Sequence, residues 1–81
     1  MNVRRLPLGT RNVIGARITQ ARMERAMPQK MLLIAMQNQG VDISWSSLSQ
    51  LEGQRRPVAD FEIVALATAL NVSVPWLLGL E

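Results

Sequence analysis

DISWSSLSQLEGQRRPV, residues 42–58, is the stretch on which the fold turns. Ser44 stands just before a helix-compatible run, and a serine oxygen is well suited to cap an open helix N-terminus. A short helix is therefore expected from Trp45 to Glu52, stopped by Gly53. At 3.6 residues per turn Leu48 and Leu51 share one side, three apart, and should be buried. Trp45, Ser46, Ser49 and Gln50 fall on the opposite side in two i, i+4 pairs, with no charge before Glu52. A serine-rich face is ordinarily solvated surface, but an exposed tryptophan counts against that reading. Such a face suits base edges in a major groove. Gln bonds adenine at two points, Ser bonds several bases, and an apolar group touches a thymine methyl.

Upstream, Gly40-Val41-Asp42 reads as a turn, with Gly40 ending a second helix over about residues 28–39. Pro28 suits the first turn of that helix, whose inner stripe is Leu32, Ala35 and Met36. Pro28 also closes a first helix, because the residue before a proline is pushed away from helical geometry. That first helix starts near Asn12, capped by Asn12 or Thr10, with Ile14, Ile18 and Ala21 on one face. Residues 1–11, MNVRRLPLGTR, show no periodicity and read as a basic flexible N-terminal arm. Downstream, Pro57 holds a loop, and a fourth helix starts at Asp60 or the turn before it and runs to about Leu70. Phe61, Val64, Ala65 and Ala69 are among its apolar positions. Ser73 caps a final turn containing Pro75, Trp76, Leu77 and Leu78. Met23, Met27, Met31 and Met36 read as core filler, with a partner-binding methionine patch as the alternative. The expected class is all-α: five short helices around one core, in a domain spanning residues 12–81.

Composition agrees and excludes several functions. A chain of 81 residues is long enough for one domain without a metal or disulfide staple. Apolar residues make up 48% and aromatics 4%, which suits packed helices better than a β-sandwich. Without Cys or His there is no disulfide, no thiolate site, and neither the commonest metal ligand nor the commonest general base. Asp60 and Glu62 are two apart on a helix and diverge, and no glycine-rich phosphate loop appears. No enzyme activity, metal, cofactor or small-molecule ligand is expected. The apolar run Met31–Met36 is far too short to span a bilayer, and no apolar segment follows Arg4 and Arg5. The chain reads as cytoplasmic.

The net charge of +3 conceals an asymmetry. Residues 1–30 carry Arg4, Arg5, Arg11, Arg17, Arg22, Arg25 and Lys30 against Glu24 alone, a net +6. Residues 31–81 carry Arg55 and Arg56 against Asp42, Glu52, Asp60, Glu62 and Glu81, a net −3. A basic half implies an anionic partner, nucleic acid or membrane surface, unless it is merely solvated. The interspersed polar pattern does not support a membrane binder.

The stretches IGARITQAR (14–22), PQKMLL (28–33), DISWSSLSQLEGQRRPV (42–58), EIVALATAL (62–70) and NVSVPWLLG (71–79) carry a resemblance by their order and spacing. Over about residues 12–79 the chain resembles the Cro/CI-like (XRE-type) helix-turn-helix domains of phage repressors and bacterial regulators. The resemblance implies a five-helix lambda-repressor-like domain whose third helix reads DNA. Gln29 matches the family's glutamine that bonds a DNA phosphate, with Lys30 beside it. The plainer reading makes Gln29 a first-turn surface residue. Trp45, Ser46 and Gln50 fall where base-contacting side chains sit, and Ser49 is nearby. Arg55 and Arg56 follow, where the family places further phosphate contacts, and Arg4 and Arg5 of the arm join them, although a basic loop pair is often only solvated. Arg22 and Glu52 match a partly buried salt bridge between the first helix and the end of the third. The family's last helix often supplies the dimer contact, which points here to Val74, Trp76, Leu77 and Leu80; Trp76 is also readable as core.

The chain departs from the family at three places. Leu33 stands where a small Ala is common, which implies a wider helix crossing. QNQGVDI lengthens the second helix and its turn. Trp45 either meets DNA sugar or thymine methyls, or folds back onto the turn near Val41 and Ile43. The implied function is a bacterial or phage DNA-binding transcription regulator, a repressor, acting as a homodimer on double-stranded DNA. The rival is a protein-interaction module of the same fold, such as an antitoxin-like or anti-repressor partner. The uncharged third-helix face favours the rival, and the basic half favours DNA.

Overall fold

A computed structural model describes residues 12–81; the arm residues, with Arg4 and Arg5, lie outside the described residues. The described residues form five helices and no strand: α1 (Gly15–Glu24), α2 (Gln29–Asn38), α3 (Trp45–Glu52), α4 (Asp60–Leu70) and α5 (Val74–Leu77). No helix among them is long and apolar enough to cross a membrane.

Local chemistry explains where the helices begin. The Asn12 side chain accepts from the Gly15 N–H at 3.0 Å and so satisfies an open donor of α1. Ser44 and Ser73 do the same for Ser47 and Trp76, each at 3.1 Å. Ala59 has no side-chain acceptor to offer α4. Its own N–H instead donates to Glu62 Oε1 at 2.9 Å, the reverse half of a capping box.

All five helices end in the same way. In α1 the Ala26 N–H reaches Met23 O and the Met27 N–H reaches Arg22 O, the paired bonds of a Schellman motif. The same pairing recurs with Gly40, Gln54, Asn71 and Gly79 in the left-handed position. Two expectations change as a result. The first helix ends at Glu24, well before Pro28, because Ala26 reverses the chain at φ 50°. Gly53, expected to stop α3, keeps φ −81°, and Gln54 takes the positive φ of 60°.

One core joins the helices. Ile14, just before α1, and Ile18 and Ala21 of α1 join Leu32 and Met36 of α2, Leu48 and Leu51 of α3, Leu66 and Leu70 of α4, and Leu77 of α5. Each fully buried Leu or Ile contributes on the order of 1.5–3 kcal/mol. A helix as short as α5 has no stability of its own, so Leu77 anchors it by burial. The long turn between α2 and α3 is pinned by Val41 and Ile43, both buried, and by Gln37 and Gln39. These two glutamines donate to Ile43 O at 3.2 Å and Ala65 O at 3.0 Å.

The methionines divide. Met36 is in the core and Met27 packs partly against it, but Met23 and Met31 are exposed and fill no core gap. Helical angle explains the difference, since Met23 lies about 200° round α1 from Ala21 and Met31 lies well off the Leu32–Met36 line. Phe61 and Val64 of α4 are likewise outside the core, because Leu66 and Leu70 fill the line that faces α1, α2 and α5.

Candidate functional site

Helix α3 presents Trp45, Ser46, Ser49 and Gln50 outward, all exposed, while Leu48 and Leu51 face inward. Trp45 does not fold back onto the turn near Val41 and Ile43. Its indole is half exposed, and its Nε1–H donates to Gln29 Oε1 at 2.7 Å, across to the first residue of α2. Ser49 Oγ donates to the same oxygen at 3.1 Å. With its oxygen engaged twice, the Gln29 carboxamide has both amide hydrogens left to donate. Gln29 is therefore the junction of α2 with the outward face of α3.

The inner end of α3 is held from the α1 side. Arg22 Nε and Nη2 meet the Glu52 carboxylate at 3.0–3.3 Å, and Arg22 Nη1 donates to Met27 O at 3.0 Å. Thr19 Oγ1 donates to Glu52 Oε1 at 2.9 Å, a partner that the sequence reading did not anticipate. Asn12 is 7% exposed and does more than cap α1, because its Nδ2 donates to Leu51 O and to Arg56 O. Gln54 Nε2 returns a bond to Asn12 O. Gly15 sits so close that an added Cβ would lie 2.5 Å from Leu51 O.

The other side of α3 is held by Arg56, whose guanidinium is engaged within the protein. Arg56 does not project from the loop towards an anion. Nη1 and Nη2 meet the two Glu62 oxygens at 3.0 and 2.8 Å, Nε donates to Ser47 O at 3.0 Å, and Nη1 also reaches Pro57 O at 2.8 Å. The two side chains are only 19% and 10% exposed. The hydrogen bond from Arg56 holds the Glu62 carboxyl below its ordinary value, outweighing the upward push of burial, with the Ala59 N–H and the arginine's charge assisting.

A group whose pKa is depressed on folding gives stability above its unfolded value and loses it as pH falls through the folded value. The stability gap between wild type and Glu62→Gln is thus expected to be full at neutral pH and to narrow below pH 4.5, the ordinary value. Urea midpoints of both proteins across an acid series check this. A gap that stays constant down to the acid limb would contradict the pairing.

Of the four cations of the basic half that lie among the described residues, three are engaged within the protein. Arg17 stacks over the Trp76 ring at 4.7 Å, Arg22 pairs with Glu52, and Arg25 lies 3.9 Å from Glu24. Lys30, beside Gln29, and Arg55, just past α3, are exposed and have no ion-pair partner among the described residues. Of the residues expected at a dimer contact, Leu77 is wholly buried and has no surface to give. Val74 and Trp76 are half-buried against the core, with Trp76 also covered by Arg17, and Leu80 is 77% exposed. No protein-family model, curated protein or solved structure matches the chain.

Proposed function

We propose that this chain is a helix-turn-helix regulator that binds duplex DNA, with α2 and α3 as the paired helices and α3 in the major groove. The observation that carries this reading is the Gln29 junction. The exposed face of α3 holds only uncharged hydrogen-bonding groups and one indole, and it is tied by Trp45 and Ser49 to the α2 N-terminus. A helix N-terminus with a free side-chain amide suits a phosphate oxygen. Ser46 and Gln50 suit base edges. Lys30 and Arg55 flank that face in sequence as exposed cations, the charge a phosphate backbone requires. One such helix covers few base pairs, so a two-fold dimer on a palindromic site is part of the proposal, with Leu80, Val74 and Trp76 as contact candidates.

Selection of sites from random duplex DNA, followed by titration at several salt concentrations, tests the reading. The expected result is a palindromic consensus, with affinity falling about tenfold or more between 50 and 200 mM salt. Salt-independent binding, or no enriched site, would overturn it. The rival reading, a protein-interaction module, draws on exposed apolar side chains at Met31, Ile34, Phe61 and Val64. It would be favoured by a failed selection.

A further inference from the structure

We infer that Arg56 is a positioning residue that sets the angle of α3 through Glu62, and that it contacts no phosphate itself. The selectivity part of this inference rests on the DNA-binding reading above.

Arg56 has five N–H donors, and four are committed within the protein, to Ser47 O, Pro57 O and both oxygens of Glu62. A single donor is left over, so the planar fork that makes arginine effective on phosphate is already occupied. The bond to Ser47 O falls in the middle of α3, on a carbonyl whose helical partner is the Leu51 N–H. The backbone of Arg56 is fixed as well, because its carbonyl accepts from Asn12 Nδ2 at 2.8 Å. Glu62 lies in the first turn of α4, which packs on α1, α2 and α5. Arg56 thus ties the middle of α3 to the central helix, while the Arg22–Glu52 pair ties its end to α1. Between them the two arginines fix α3 at two points along its length, which sets its tilt as well as its place. Arg55, one residue earlier, is exposed and has no such tie.

Three variants separate positioning from phosphate contact: Arg56→Lys, Glu62→Gln and Arg55→Gln. Lysine keeps the charge that a phosphate would need but lacks the fork that holds Glu62 and Ser47 O together. Glu62→Gln removes a negative charge, which by electrostatics alone would strengthen DNA binding. The first readout is amide hydrogen exchange on the free protein. Arg56→Lys and Glu62→Gln should each speed exchange in α3 by about tenfold relative to α1 and α2, whereas Arg55→Gln should not. Unchanged α3 exchange, or an equal rise in every helix, would overturn the positioning role.

The second readout is binding to the selected duplex and to a mismatched one. Arg56→Lys and Glu62→Gln should lose about tenfold in discrimination with the salt dependence unaltered. Arg55→Gln should lower the slope of log affinity against log salt by about 0.9 and leave discrimination intact. Full discrimination in Arg56→Lys would also overturn the inference. If the wild type shows no salt-dependent duplex binding, the DNA reading fails, and the exchange measurement alone decides the role of Arg56.

Discussion

Gly15→Ala is expected to destabilise the fold by about 3 kcal/mol, although helix propensity alone would have it stabilise by up to about 1 kcal/mol. The sign is set by what a methyl group would meet. An added Cβ would lie 2.5 Å from Leu51 O, 2.8 Å from Glu52 O and 2.8 Å from Gln54 Cγ. The Gln54 side chain is able to swing aside, but the two carbonyls belong to the backbone at the end of α3 and move only with the helix. That end is pinned by Arg22, Thr19 and Asn12, so relaxation would strain three further contacts. This places the cost at the upper end of the range for overpacking. At about 4–8 °C per kcal/mol for a domain of this size, the melting midpoint should fall by about 12–24 °C. Thermal and urea unfolding of the variant against wild type measure it. A neutral or stabilising substitution would show that α1 and α3 do not approach so closely.

How much of this was legible in the sequence depends on how far each signal reaches along the chain. The helices were legible because their causes are local. Ser44 caps the run it precedes, Leu48 and Leu51 recur at helical spacing, and Gly40 takes the left-handed turn beside its own helix. Side-chain destinations were harder. Arg55 and Arg56 are adjacent in one loop, and nothing nearby says which turns inward. The answer comes from Glu62, placed in the first turn of α4 where its carboxylate faces back towards the loop. A Glu three residues after the helix cap is a readable signal, and here it marked the partner of an arginine as well as a helix start. Trp45 was ambiguous for a similar reason, because its partner Gln29 is 16 residues away on another helix. Met23 and Met31 were misplaced because methionine suits core and surface alike, so composition could not assign them, whereas the helical angle from Ala21 and Leu32 does. Leu77 and Leu80 look equivalent in sequence, yet only Leu77 points into the core once Ser73 has set the start of α5.

Arg22→Met is expected to cost about 3–5 kcal/mol, the largest single loss among the side chains that hold α3. Removing the guanidinium would leave the Glu52 carboxylate, only 7% exposed, with the Thr19 hydroxyl as its sole remaining hydrogen-bond donor of those it has now. Glu52→Leu should cost less. The stranded Arg22 is 17% exposed, keeps its bond to Met27 O and has a longer side chain with which to reach water. This asymmetry separates a buried ion pair from simple loss of packing, which would scale with the volume removed. The double variant Arg22→Met/Glu52→Leu should recover about 2–3 kcal/mol relative to the sum of the single losses, because neither charge is then left unpaired. Chemical unfolding of all four proteins gives the coupling directly; additive losses would mean that the two side chains do not interact. A double variant that regains stability also separates two contributions of the pair. An apolar pair fills the space between α1 and α3 without dictating direction, whereas the two-oxygen contact of Arg22 with Glu52 fixes both distance and angle. If α3 reads a groove, the restored protein should fold well and still discriminate poorly between duplexes, since its stability would return without the geometry.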